Sequence, residues 1–473
     1  MIPLSQKGSG PLFRRVYAGL REAILAGSYA PGERLPSTRE LAAQMGISRT
    51  VALTAYELLL AEGFVTGRAG SGTYVSADLE RRGAQRPAST TEIKLSRFGA
   101  AAAAIAVIAP HRSKPTLRYD FAYGRSNLEL FPFETWRRIL LRQARQASAR
   151  KLGYGPVTGS TALREAICAH VRRSRAVVCD PSDIIVVNGS QQALDLIARV
   201  LVEKGDQVVL EEPHYDAVRE VMRAAGAALL PAAVDGEGLD PATLPERAAL
   251  AVVTPSHQYP TGTILSLPRR LALLDWARRA NAAIVEDDYD GEFHYDGRPL
   301  ESLQGLDGDG RVIYLGTFSR TVFPALRIGY LILPKPLVPV FTTAKWLNDT
   351  HSATLEQETL AEFIAEGFYE RHLRRVREWN AVRRTKLLRA IAEHLGDRVT
   401  VTGDAAGAHI VLWPKADLTE EALVSGAATR GVGLYPLSHC YLGQPARVGA
   451  ILGFGHLSES EIEDGIRLLA EVV

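Results

Sequence analysis

Cysteine is scarce. Cys168, Cys179 and Cys440 are three in 473 residues, and no pair has metal-ligand spacing. That excludes a zinc ribbon and a disulfide framework, and leaves small buried hydrophobes of a reducing compartment. The eleven histidines form no His-x-x-x-His pair beside an acid, so no metal site is expected. No apolar h-region opens the chain, and the longest small-apolar run, Gly99 to Pro110, is too short to span a bilayer. A cytoplasmic location without membrane contact is expected. Excess charge is lacking too: the net charge is +2, so any nucleic-acid surface has to be local. Gly-Ser-Gly occurs near residues 8 and 70, but neither copy leads from a strand into a helix, which excludes a dinucleotide fingerprint.

What remains is a composition of ordinary globular type, long enough for two or more domains. Residues 1–78 read as a small helical domain. "LFRRVYAGLREAILAG" has helical apolar spacing and stops at Gly27. "STRELAAQMG" carries Ser37 and, three residues on, Glu40, which is a capping box; Gly46 closes that helix. Ser48 restarts a helix that runs to Gly63, and "FVTGRAGSGTYV" follows as a hairpin around a glycine-rich turn. Two capped helices across a short turn, followed by a hairpin, form the pattern of a winged helix-turn-helix. The second helix would offer Ser48, Arg49, Thr50 and Thr54 to the major groove. Arg34, Ser37 and Arg39 would hold phosphates, with Arg68 and Gly70 at the wing. Residues 1–75 hold 8 Lys/Arg against 5 Asp/Glu. A solvated helical bundle with ordinary surface arginines is the alternative.

Residues 79–115 are polar, basic and proline-ended, and read as a linker. From 116 to 473 β-prone runs alternate with helical patterns, as in "DIIVVNG" before "SQQALDLIARVL" and "ALAVVTP" before "LPRRLALLDWARRAN". Continuous apolar strands between helices predict a buried, mostly parallel α/β sheet, with a smaller α/β subdomain from about residue 370.

The chemistry sits in this third segment. "VVNGSQQALDL" places Gly189, Ser190 and Gln191 between a strand and a helix start, where free N–H groups and the helix dipole attract phosphate. Thr317, Ser319 and Arg327 add hydroxyls and a guanidinium suited to the same group. "VEDDYD", with Glu286, Asp287, Asp288, Tyr289 and Asp290, suits a metal, a cationic nitrogen or solvent alike.

Taken in order, "YGPVTGSTALREAI", "NGSQQALDL", "EEPHY", "TPSHQYPTG", "VEDDYDGEF" and "GTFSRTVFPALRIGYL" resemble the fold-type I aminotransferases, which use pyridoxal phosphate. The first segment resembles a GntR-type winged helix, and the two together resemble the MocR-type, or GabR-like, transcriptional regulators. The resemblance covers nearly the whole chain outside the linker. It implies a DNA-binding regulator, a homodimer of head-to-tail arrangement, that senses a small effector. It further implies that Asp287 pairs with the cofactor ring nitrogen, Tyr289 with the ring hydroxyl, and Tyr215 stacks near the ring. Ser190, Gln191, Thr317, Ser319 and Arg327 would hold the phosphate, and Tyr154 would reach across the dimer.

Three departures qualify it. The lysine that forms the internal aldimine falls at Arg320, and a guanidinium has no nucleophilic lone pair. Pyridoxal phosphate, a cofactor–amine adduct or another anion is therefore expected to bind non-covalently at most, with no catalytic residue left and with Arg320 making a charged hydrogen bond to the phosphate or to an anionic effector. Lys345 and Lys151 are the substitute lysines in sequence reach. The arginine that grips a substrate carboxylate falls at Ile451, with Arg447 displaced from it, and the asparagine before "PTG" is Tyr259. The alternatives are a working aminotransferase with an accessory DNA-binding domain, and a DNA-binding regulator with a dead ligand pocket.

Overall fold

Two serines set the helices of the N-terminal unit. α1 (Leu12–Leu25) is followed by α2 (Thr38–Met45), where Ser37 Oγ accepts from Glu40 N at 3.3 Å and Glu40 Oε2 accepts from Ser37 N at 2.7 Å. Gly46 ends α2 at φ 64°, a left-handed position natural to glycine. Ser48 Oγ then caps α3 (Arg49–Ala61) by accepting from Val51 N. The wing is the antiparallel pair β1 (Val65–Arg68) and β2 (Gly72–Val75), in register from Val65↔Val75 to Arg68↔Gly72. Val16, Leu20, Leu41, Ala52, Leu59 and Val65 make its core, and Tyr56 Oη donates to Pro36 O at 2.7 Å, tying α3 to the turn before α2. The structure, a computed structural model, describes residues 10–68, 71–82, 93–105, 117–125, 128–148, 152–295 and 300–473. It divides into two compact units, Met1–Lys94 and Leu95–Val473.

Residues 97–103, inside the stretch expected as linker, form a helix capped by Ser96 that rests on the helix Asp216–Ala225 of the second unit. An alanine run with a serine before it suffices for one helical turn or two.

The first strand of the second unit is β3 (Tyr119–Asp120), and its main sheet is built from eight further strands. These are β4 (Ile184–Val187), β5 (Gln207–Glu212), β6 (Ala228–Asp235), β7 (Gly238–Leu239), β8 (Leu250–Val253), β9 (Ala283–Asp288), β10 (Val312–Thr317) and β11 (Gly329–Ile332). Their order is β4-β11-β10-β9-β8-β5-β6-β7. Six strands run the same way. β11 runs against both its neighbours, and β7 against β6. Every residue of β4, β8 and β11 is buried, as expected of strands covered on both faces. Each buried Val, Leu or Ile among them contributes roughly 1.5–3 kcal/mol. The helices Ser190–Leu201 and Val338–Asp349 cover one face; Phe133–Gln146, Thr161–Arg175 and Thr354–Ala365 cover the other.

The helix Phe368–His394 spans 27 residues. Tyr369 and Leu373 pack in the main core, and Leu387 and Ile391 in a second core. That second core belongs to β12 (Val399–Thr402), β13 (His409–Pro414), β14 (Val432–Gly433), β15 (Tyr435–Pro436) and β16 (Ala450–Gly453). Four of them form an antiparallel sheet of order β12-β13-β16-β15, while β14 pairs in parallel with β3. The smaller subdomain thus recruits Tyr119 and Phe121, which lie far upstream in sequence, before the main sheet, whereas its other strands run from Val399 to Gly453. All three cysteines are buried and free. Among the described residues no helix is long and apolar enough to cross a membrane.

Candidate functional site

Because six strands run parallel, the loops after β4, β5, β8, β9 and β10 emerge along one edge of the sheet, where open α/β sheets bind ligands. A row of paired residues, Thr317↔Gly329↔Val187, crosses β10, β11 and β4 at that edge. Just beyond it Gly189 turns at φ 83° into the helix Ser190–Leu201. Arg327, itself at φ 53°, donates from Nη2 to Asn188 O at 3.0 Å. A Cβ on Gly189 would lie 2.7 Å from that Nη2 and would have to displace it, at a φ that side chains rarely adopt. Thr317 Oγ1 donates to Ser319 Oγ at 3.1 Å and accepts from Ser319 N at 3.2 Å. Uncapped helix N–H groups, two hydroxyls and a cation therefore gather at one corner of the sheet edge, which suits a phosphate. Gln191 is exposed. Gln192, which the sequence did not single out, braces the corner by accepting from Asn188 N and donating to Asn348 and Asp349.

The acidic run separates into distinct jobs because side chains alternate along β9. Both oxygens of Glu286 accept backbone N–H groups, from Leu303 and Gln304, at 2.8 Å. Asp288 meets Arg175 Nε at 2.8 Å and the Tyr314 hydroxyl. Asp287 points the other way. It is buried, and its Oδ1 meets no hydrogen-bond partner among the described residues. Burial, and then the charges of Asp288 and Asp290, push its carboxyl up to about 7, with Arg320 pulling in the opposite sense. Asp290 goes to His257, whose Nδ1 lies 2.8 Å from Asp290 Oδ2 and 2.9 Å from the Tyr289 hydroxyl. Burial works against that pair, yet each holds the other charged: His257 is raised and Asp290 lowered.

Tyr215 precedes the helix Asp216–Ala225 and meets Tyr259 edge-on, 5.6 Å between centroids. Arg320 lies over Gly124, where a Cβ would stand 2.2 Å from its Nη1. It shares a cavity with Tyr123, Arg125, Tyr259, Tyr289 and His409. Ile451 is fully buried in β16, in an apolar cluster with Tyr259, Val411 and Trp413; Arg447 stacks its guanidinium 3.9 Å from the Trp413 ring. Lys345 is fully buried with its Nζ 2.7 Å from both Asp349 oxygens and 3.1 Å from Ser352 Oγ, so it is committed away from Asp287. Lys151 lies outside the described residues. Tyr154 is 90% exposed.

The residues present fit pyridoxal phosphate. A buried carboxylate oxygen without a partner is what a ring N–H would satisfy, and the Gly189 corner is what a phosphate would fill. His257, Gly124 and Arg125 are the residues that sequence reasoning missed. His257 stands in the same "HQYP" run that was read for its lost asparagine.

On the N-terminal unit, Arg34, Ser37, Arg39, Ser48, Arg49 and Thr50 are exposed. Thr54 is half-buried and donates to Thr50 O at 3.0 Å. Arg34 backs onto Gly72 of the wing, and Arg68 lies 4.6 Å from the Tyr74 ring centroid. Gly70 lies outside the described residues.

Residues 12–75 match the model of the bacterial regulatory proteins of the gntR family, and residues 122–450 that of aminotransferase class I and II. The chain is 39% identical to the probable rhizopine catabolism regulatory protein MocR of Rhizobium meliloti, over 99% of this chain and 95% of that protein. It is 32% identical to the HTH-type pyridoxine biosynthesis transcriptional regulator PdxR of Corynebacterium glutamicum, over 96% and 93%. Among solved structures it resembles LysN, the α-aminoadipate aminotransferase of Thermus thermophilus, complexed with N-(5'-phosphopyridoxyl)-L-leucine. The TM-score is 0.72 and the identity 29%, over 80% of this chain and 98% of that one.

Proposed function

The chain belongs to the MocR-type transcriptional regulators, a gntR-family DNA-binding head joined to a class I and II aminotransferase domain, and we propose that this domain holds pyridoxal phosphate non-covalently as effector or as part of one. The observation that carries the reading is Asp287, buried with one oxygen unpartnered, beside the corner made by Gly189, Ser190 and Arg327. Asp287 would hold the ring N–H, Tyr289 the ring hydroxyl, and Tyr215 the ring face. Ser190, Gln191, Thr317, Ser319 and Arg327 would hold the phosphate. When bound, this cofactor supplies an aldehyde that captures amines and a ring that draws electrons. Arg320 does not complete that chemistry: its guanidinium stays protonated and offers a fixed fork of donors instead. Transamination is therefore not part of the function. A relative named for pyridoxine biosynthesis supports vitamin B6 chemistry at the site.

The head would read DNA through Arg49, Thr50, Ser48 and Thr54 at the start of α3, with Arg34, Ser37, Arg39, Arg68 and Gly70 on phosphates. The exposed Tyr154 and Leu152 suit a second copy, in a head-to-tail homodimer. Effector binding would favour one arrangement of the dimer and so change how the two heads meet spaced half-sites. The test is operator binding by fluorescence anisotropy with and without pyridoxal phosphate, beside a transamination assay over an amino-acid panel. We expect at least a roughly fivefold change in operator affinity and no turnover. Turnover, or an operator affinity indifferent to the cofactor, would contradict the reading.

A further inference from the structure

Two thiols that the cofactor reading does not use lie close together in the main core. Cys168 sits on the helix Thr161–Arg175, and Cys179 on the stretch that leaves it. Eleven residues apart, they read as unrelated in sequence. In the fold Cys179 Sγ lies 3.7 Å from Cys168 Sγ, and Cys168 Sγ donates to Cys179 O at 3.4 Å. A disulfide needs about 2.05 Å, so the sulfurs stand less than about 2 Å from bonding distance. Cys179 is the one nearer solvent, with Val178 and Asp180 exposed on either side of it. Cys440 takes no part, being packed in the apolar cluster of Tyr259.

The stretch between the two thiols anchors β9. Arg175 ends the helix and meets Asp288 at 2.8 Å, and its carbonyl accepts from Ser302 N at 2.9 Å. Val178 N donates to Gln304 Oε1 and Gln304 Nε2 donates to Val178 O, both at 2.8 Å. Gln304 N in turn donates to Glu286 Oε2 at 2.8 Å. Glu286 and Asp288 flank Asp287 in the strand, so both neighbours of the cofactor acid are held from residues 175–178. Cys168 is fixed within a helix whose Ile167 and Val171 are buried in the core. Closing the sulfurs therefore draws in the stretch after Ala176, where the helix stops at φ 53°.

We propose that Cys168 and Cys179 form a dithiol–disulfide pair oxidised by a hydroperoxide, and that closing it loosens the hold of Gln304 on Glu286 and so weakens cofactor binding at Asp287. The cofactor part rests on the reading of Asp287 given above; the thiol pair does not. In the first step the Cys179 thiolate attacks one peroxide oxygen. The S–O bond forms, the O–O bond breaks, and the leaving hydroxide takes the proton that the thiol gave up, as water. The Cys168 sulfur then attacks the sulfenic sulfur. The S–S bond forms, the S–O bond breaks, and a second water leaves with the Cys168 proton, two electrons having passed from the thiols to one peroxide. Burial, and then the neighbouring Cys168, push the Cys179 thiol up, so little thiolate exists near neutrality. The pair thus answers sustained exposure rather than a brief pulse.

The test holds the full chain in hydrogen peroxide for hours, then alkylates it and digests it without reduction. We expect a peptide pair joined through Cys168 and Cys179, reopened by dithiothreitol and absent from Cys168→Ala and Cys179→Ala. Amide exchange over residues 302–306 should rise on oxidation and fall back on reduction. Affinity for pyridoxal phosphate by absorbance titration should fall at least about tenfold, and peroxide should leave that of Cys179→Ala unchanged. Comparing oxidised with dithiothreitol-restored protein needs no variant at all. No joined peptide, or a joined peptide that leaves exchange or cofactor affinity where it was, would overturn the proposal. A joined peptide with altered exchange, in a protein that never takes up pyridoxal phosphate, would uphold the thiol pair and sink the cofactor reading instead.

Discussion

Asp287 makes the unliganded protein carry a cost that grows with pH. Its carboxyl is raised from 3.8 to about 7, chiefly by burial and then by Asp288 and Asp290. The folded state therefore holds this proton more tightly than the unfolded state. The corresponding stability is fully present below about pH 3.8 and is lost as pH rises through about 7. At about 1.36 kcal/mol per pKa unit the whole loss is about 4 kcal/mol, more than half of it between pH 5 and pH 8. Asp287→Asn keeps the shape of the neutral carboxyl and escapes the loss. For a unit of about 380 residues, unfolding entropy near the midpoint is about 0.8 kcal/mol per degree. Without cofactor, the variant should melt about 5 °C above the unaltered protein at pH 8, with the gap about 3 °C narrower at pH 5. Pyridoxal phosphate at about a hundred times its Kd should add roughly 2.7 kcal/mol to the unaltered protein and almost nothing to Asp287→Asn. Differential scanning fluorimetry of both proteins at both pH values reads every arm. A gap independent of pH, or a variant that melts below the unaltered protein at pH 8, would refute the reasoning.

Gly189→Ala places a Cβ 2.7 Å from Arg327 Nη2 at a φ of 83° and should weaken pyridoxal-phosphate binding at least about tenfold by absorbance titration, with the fold retained by circular dichroism. His170 sits between Glu292 at 2.7 Å and Glu370 at 2.9 Å; burial lowers it, but the two acids win and lift it to about 9. Its contribution to stability is therefore present below about pH 6.5 and lost as pH rises through about 9, and His170→Gln should flatten urea midpoints over that window. Ser48→Ala removes the cap of α3 and should cost the head about 1 kcal/mol in urea unfolding, and should also weaken operator binding.

Local chemistry was legible and long-range pairing was not. The Ser37–Glu40 box, the Ser48 cap and the Gly46 stop lie within a few residues of what they satisfy, and they appear where the sequence puts them. The glycine between strand and helix was readable for the same reason. Within "VEDDYD", alternation separates Asp287 from its neighbours. Yet only tertiary partners decide that Glu286 closes the Leu303 turn, Asp288 meets Arg175 and Asp290 meets His257. Those partners lie between 17 and 113 residues away. β11 reads as any apolar strand, although it runs against its neighbours, because direction leaves no mark on composition. β3 is two residues long and carries no period at all, so its place beside β14 was out of reach. Arg125 is an ordinary surface arginine in sequence, and only the fold brings it to the cavity that Arg320 also lines.

On the reading proposed above, the aminotransferase-like unit is a vitamin B6 sensor that holds its ligand without a covalent bond. Absorbance titration with pyridoxal phosphate, followed by borohydride reduction and intact mass, tests it on the unaltered protein and on Arg320→Lys. The account predicts a saturable spectral change in both and cofactor fixed by borohydride only in Arg320→Lys. Cofactor fixed to the unaltered protein, or no saturable change in either, would contradict it.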